Sequence, residues 1–344
     1  LASRLSYFLW SSIPDDELTV LAKHQTLARE PVLREQVDRM LDSNRANEFF
    51  DTFVGQWLGT RDVGGSVAPT FNAIQDVYTP DIATDMRREA VLLFQTIVLE
   101  RRSLLELIDS DFQYMTGRLA RFYGLGIKSG LRNNEFGRVD LKSVGGNAAQ
   151  RGGVLGLGAV LAATSHVTSE ETSPVLRGAW VLDTLLGTPV PSPPDDVPEL
   201  DKSRAKAEQL TLRQTLEAHR EDATCAACHK LMDPIGFGLE NFDFLGRWRS
   251  EEGGKPLDVQ GTLPSGDTFQ GPTELKKLLL KRRREFLRQV TRKVMGYAIG
   301  RSLVDEDQCT IETIVDRLEK KNYSARELIH QVVLSPQFRK KQSR

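Results

Sequence analysis

Apolar positions recur at helical spacing along most of the chain. Between residues 1 and 125 this spacing predicts a succession of helices. Leu33, Val37, Met40 and Leu41 form one stripe behind Pro31, whose fixed φ suits a first helical turn. Phe49, Phe50, Phe53, Val54 and Trp57 form a second apolar face. Ile82, Met86, Leu93 and Ile97 form a third, opened by the cap, proline and acid of Thr79-Pro80-Asp81. Ser12-Ile13-Pro14-Asp15-Asp16-Glu17 reads as a further helix start, with acids in the first turn. All these aromatic and aliphatic side chains are expected in a core.

The pattern changes after residue 125. Residues 152–164 are weakly polar and rich in glycine, which predicts a tightly packed, buried helix. Gly156-Leu157-Gly158 lacks the third glycine of a dinucleotide fingerprint, and no GK[ST] follows. Five prolines between positions 189 and 198 exclude a helix there and suggest a linker or strap. Helical spacing resumes at residues 210–220. Glycines 253, 254, 261, 266 and 271 then punctuate short alternating runs, so a small β element is expected near residues 254–271. Leu275, Leu278, Leu279, Phe286 and Val290 return to a helical stripe. Ser324-Ala325-Arg326-Glu327 matches a capping box before Leu328, Val332 and Val333, and Ser335-Pro336 should end that helix. The expected fold is mostly α. Its parts are a helical N-terminal domain (1–125), a middle domain (126–250) and a helical C-terminal domain (251–344). The last two are expected to share a core.

Composition narrows the class. With 344 residues, 40% hydrophobic and 27% charged, the chain is an ordinary globular sequence long enough for two or three domains. A formal net charge of −1 gives no ground for a nucleic-acid partner. No apolar run approaches the roughly 20 residues of a membrane helix. The first residues read as mid-helix, so a longer parent protein is expected.

Cysteine is scarce, and that sharpens the chemistry. Two of the three cysteines sit in Cys225-Ala226-Ala227-Cys228-His229, while Cys309 stands alone and is expected to be a buried free thiol. The spacing C-x-x-C-H is that of covalent haem attachment. Two thiols add across the porphyrin vinyl groups, and the adjacent histidine ligates the iron. A structural zinc site would need four ligands, and a thioredoxin-like pair would need a βαβ setting. A disulfide between Cys225 and Cys228 would leave His229 without a role. One covalent haem c is therefore the expected cofactor, with His229 as iron ligand. Met232, three residues on, is expected to pack near the porphyrin edge, and Trp180 and Trp248 to lie against the ring. Asp233-Pro234 should terminate the motif helix. Asp233, Glu240 and Asp243 could suggest calcium, but arginine partners such as Arg247 or Arg249 fit better. Lys281-Arg282-Arg283-Arg284 reads as a solvated basic face.

The flanks of the motif carry a resemblance. The run from Cys228 through Lys230-Leu231-Met232-Asp233-Pro234-Ile235-Gly236-Phe237-Gly238-Leu239-Glu240-Asn241-Phe242-Asp243 is distinctive. So are Thr172-Ser173-Pro174-Val175-Leu176-Arg177-Gly178 and Tyr297-Ala298-Ile299-Gly300-Arg301. Together they resemble the large cytochrome-c-containing proteins of planctomycetes and myxobacteria, over essentially the whole chain. The resemblance implies export, membership of a larger redox protein, and an attached cytochrome domain or separate redox protein as partner. It supplies no established reaction. Those proteins commonly read Ser-His-Pro-Asn-x-Thr-Ser-Pro, whereas Ser165-His166 is followed here by Val167-Thr168-Ser169-Glu170-Glu171. His166 matches the retained histidine and ranks first as distal ligand. His219, which also matches, is the runner-up, and Met295 is third. His24 and His330 are read as structural. Two strong axial ligands would leave electron transfer as the function. An open distal site would instead allow a haem enzyme, a peroxidase or oxidase linked to carbohydrate breakdown. A third possibility is a scaffold with a structural haem. Covalent attachment takes place outside the bacterial cytoplasm, so a periplasmic or envelope location is expected.

Overall fold

The structure, a computed structural model, describes residues 1–70, 74, 76–125, 131–169, 171–191, 210–220 and 223–340, with the backbone alone at 223–225. The expected linker lies outside the described residues from position 192 onward. The chain is mostly α, with 60% of the described residues helical. Among the described residues its strands pair only as two-stranded antiparallel hairpins.

Local rules account for many helix boundaries. The Asp15 carboxylate caps the helix Asp16–Lys23, accepting from the Leu18 N–H at 3.0 Å. Thr79 does the same for the long helix Pro80–Leu99, its hydroxyl accepting from Ile82 at 3.3 Å. Each such cap contributes about 1 kcal/mol. Pro31 lies in the first turn of Glu30–Leu41, and the stripes read from the sequence are buried. The structure departs from the local reading in two places. The helix Ala325–Leu334 starts after Ser324, but that side chain makes no cap bond. Glu327 accepts from Arg34 instead, at 3.0 and 3.2 Å. Cys309 is exposed, contrary to expectation. It lies on the helix Gln308–Lys320, which buries Ile311, Ile314, Val315 and Leu318.

The chain divides into two compact units. The first comprises Leu1–Arg61, Arg87–Leu107 and Arg283–Arg344. The C-terminal helices from Arg283 therefore group with the N-terminal helices, not with the middle of the chain. The ring of Phe49 meets those of Phe8, Phe50, Phe53, Phe94 and Tyr297 at 5.1 to 6.4 Å between centroids. Arg326 is buried and ties Asp38 (3.2 Å), Asp42 and the Val98 carbonyl (3.3 Å) into the same core. Arg284 reaches Glu312, Asp316 and Glu319 at 2.7 to 3.0 Å, so this member of the basic run belongs to an ion network.

The second unit comprises Asp62–Met86 and Ile108–Arg282. The glycine-rich stretch is buried as expected, although only Gly158–Ala163 is α-helix. Its glycines make room for close packing. A Cβ on Gly152 would stand 1.9 Å from the Ser110 carbonyl oxygen, and one on Gly158 would stand 2.2 Å from the Tyr123 hydroxyl. The buried Arg151 lies 3.6 Å over the Tyr123 ring and donates to the Gly156 carbonyl at 2.8 Å. Two hairpins, Glu251–Glu252 with Lys255–Pro256 and Gln260–Thr262 with Thr268–Gln270, form the expected β element. The hairpin of Phe112–Met115 with Gly137–Asp140 interrupts the stretch read as helical. Four residues are too few for a strand period to stand out from a helical one.

Candidate functional site

The cysteine motif lies in the first half of the helix Ala223–Phe237. Positions 225, 228 and 229 fall within little more than one turn and share a side of the helix. Cys228 is half-buried and free. The Cys225 side chain lies outside the described residues.

The motif helix does not end at Asp233-Pro234. It continues to Phe237 with Pro234 in its interior. An interior proline removes one backbone hydrogen bond and costs about 3 kcal/mol. Close packing on both sides outweighs that cost. The helix Pro174–Trp180 crosses so near that a Cβ on Gly178 would lie 2.0 Å from the Met232 carbonyl oxygen. A Cβ on Gly236 would lie 1.9 Å from the Pro174 carbonyl oxygen. A third glycine, Gly261 of the last hairpin, occupies the place where a Cβ would lie 2.5 Å from the Pro234 carbonyl oxygen. Beyond Trp180 the neighbouring helix continues as a π-helical stretch, Val181–Leu186, and stops at Gly187, φ +67°.

The same crossing joins two of the distinctive sequence stretches. Arg177 is buried and donates to the carbonyls of Leu239 (2.9 Å), Phe242 (2.8 Å) and Asp243 (2.8 Å), and to Ser165 (3.2 Å). It also pairs with the buried Glu240 at 3.0 Å. Glu240 is gripped from the other side by Arg249 at 2.6 Å and by the Thr172 hydroxyl at 2.6 Å. Burial is the largest influence on the Glu240 carboxyl and pushes it up, against the opposing pull of Arg177 and Arg249. Asp243 pairs with Arg247 at 2.6 Å. The three acids after the motif thus have separate partners. Among the described residues, no group of three or more His, Cys, Asp or Glu side chains gathers to hold a bare metal ion.

His229 has the most telling surroundings. Its Nδ1 lies 3.0 and 3.1 Å from the two carboxylate oxygens of Asp233, four residues on along the same face. Asp233 is fully buried. A carboxylate only accepts, so in the neutral ring Nδ1 carries the proton and Nε2 the lone pair. Nε2 has no hydrogen-bond partner among the described residues. Arg220 approaches Asp233 at 3.7 Å from the end of the preceding helix, Leu212–His219. That helix opens on a capping box of Thr211 and Gln214. Its last residue, His219, sets its ring edge-on to that of His229, with centroids 5.4 Å apart and planes at 75°.

The other candidates are dispersed, Met232 alone sharing the motif helix. His166 is exposed, in the hairpin of Ser165–His166 with Glu171–Thr172. Met232 is buried, its backbone facing Gly178. Trp248 is half-buried and stands edge-to-face on Phe242 at 5.4 Å. Trp180 is half-buried at the end of the crossing helix. Met295 is fully buried in the other unit. His24 caps an exposed helix end, and His330 is buried between Asp38 and Glu327. The sequence reading missed Asp233 and Arg220 as partners of the site. The i, i+4 spacing of His229 and Asp233 carried the signal, hidden by ending the helix at the proline.

Three family models match the chain in succession. Each is described as a protein of unknown function: DUF1592 over residues 1–125, DUF1588 over residues 151–252 and DUF1585 over residues 265–338. The chain carries, in order, three domains found in planctomycete cytochrome-c-containing proteins. The cysteine motif falls inside the second match. No curated protein and no solved structure matches the chain.

Proposed function

We propose that this chain is a c-type cytochrome module that transfers electrons as part of a larger extracytoplasmic protein. Cys225 and Cys228 would hold one haem covalently, and His229 would ligate its iron. One observation carries this reading: His229 follows the second thiol directly, its Nδ1 is tied to a buried carboxylate, and its Nε2 is left to coordinate. The donor set fits an iron porphyrin, which supplies four of the metal's ligands itself. When bound, that group supplies a reversible one-electron couple. The residues of the chain then hold it, orient it and limit access to it.

His219 would be the second histidine to hold that group, because its ring is brought against His229. His166 ranks below it, being exposed in its hairpin. An attached cytochrome domain or a separate redox protein would be the partner.

The reading is tested on protein matured in a host with the attachment machinery. The denatured chain should keep one porphyrin's added mass and its red colour. Polypeptide of unmodified mass from that host would overturn it. Low-spin spectra unchanged by carbon monoxide or peroxide are expected of an electron carrier, and ready binding of either would replace that role with a haem enzyme.

A further inference from the structure

We propose that Asp233 is the positioning residue of His229 and that, with Arg220 as its counter-cation, it sets a low reduction potential at the site. The inference rests on the haem reading above. The carboxylate has no exposed surface, and both its oxygens lie within hydrogen-bond distance of Nδ1. Such a partner fixes the tautomer and orientation of a ligating imidazole and raises its basicity. Full burial makes the effect strong, since little solvent screens the negative charge. An electron-rich imidazole favours the more positive state of the metal it binds, and so lowers the potential.

Arg220 opposes this. Its Nε stands 3.7 Å from the second Asp233 oxygen, while the same side chain also reaches Glu217 at 3.6 Å. The cation is partly exposed, at 21%. It draws charge from the carboxylate without displacing it from Nδ1. The two residues therefore act on the potential with opposite signs.

The test uses the full chain, matured with haem, as wild type and as Asp233→Asn, Asp233→Glu and Arg220→Gln. Covalent mass is read first and the midpoint potential second. Asp233→Asn should raise the potential, changing the oxidised-to-reduced ratio about tenfold or more, about 59 mV for one electron. Asp233→Glu should restore part of the difference. Arg220→Gln should lower the potential. A haem-bearing Asp233→Asn with unchanged potential overturns the proposal and leaves the haem reading intact. Should Asp233→Asn fail to mature, Arg220→Gln decides: a lower potential supports the proposal, and an unchanged or higher one overturns it. Unmodified mass in the wild type overturns the haem reading, and this proposal with it.

Discussion

Single side chains do unusual work in the second unit. Arg177 is a buried cation with three carbonyls, a hydroxyl and a carboxylate around it. Removing one member of a buried ion pair typically costs 3–5 kcal/mol. Arg177→Met should lose about that much, read as a shift of the denaturation midpoint, because residues 239–243 lose their anchor. A loss under 1 kcal/mol would show that the network contributes little. On the proposed haem reading, the two histidines separate as well. His219→Ala should change the spin state of the matured protein, while His166→Ala should leave its spectrum alone. If the opposite pattern is found, the distal assignment reverses. At this scale the sequence was a partial guide. The residue types and spacing of Cys225, Cys228 and His229 were plain. Asp233 was visible but misread, because an interior proline ordinarily ends a helix. Cys309 was misplaced because a lone cysteine is usually buried, although the stripe Ile311, Ile314, Val315 and Leu318 sets it on the polar side of its helix.

Among elements, the decisive contact is the crossing of Pro174–Trp180 over the motif helix. Gly178→Ala and Gly236→Ala each place a methyl within 2.0 Å of a backbone carbonyl oxygen. Overpacking of this kind costs about 1–3 kcal/mol, and backbone cannot swing aside as a flexible side chain would. Each variant should melt at a lower temperature than the parent, and a melt within error of the parent would disprove the close approach. Helix starts were legible here where a cap was followed by first-turn acids, as at Asp15 and Thr79. The start after Ser324 was legible too, although its capping box does not form because Glu327 is held by Arg34. The two hairpins near residues 254–271 were signalled by their glycines, whereas those at Phe112–Met115 and Ser165–His166 were not, since pairing is made across the chain and leaves no period along it.

For the molecule as a whole, acid should be the sensitive direction. Arginine partners hold several carboxyls of the first unit below their ordinary values: Arg39 for Asp15, Arg326 for Asp42, Arg301 for Asp307 and Arg288 for Glu312. A carboxyl that is more acidic when folded contributes stability above its unfolded value and loses it as the pH falls. With ordinary values of 3.8 and 4.5, the loss should set in below about pH 4.5. Burial pushes His330 below its ordinary 6.5, so the unfolded chain takes up that proton first and the decline begins earlier, below pH 6.5. Thermal melts at pH 7, 5.5 and 4 should fall in that order, and a flat series would contradict the ion-pair account.

The glycine-lined crossing bears on how such a module would behave once it exchanges charge. Backbone pressed against backbone at two points cannot slide without breaking contact, so the second half of the motif helix is held firmly. On the proposed reading, any response to an altered charge beside His229 would fall to side chains and the first turns. A support that barely rearranges when an electron arrives or departs keeps reorganisation small, and small reorganisation makes exchange fast in both directions.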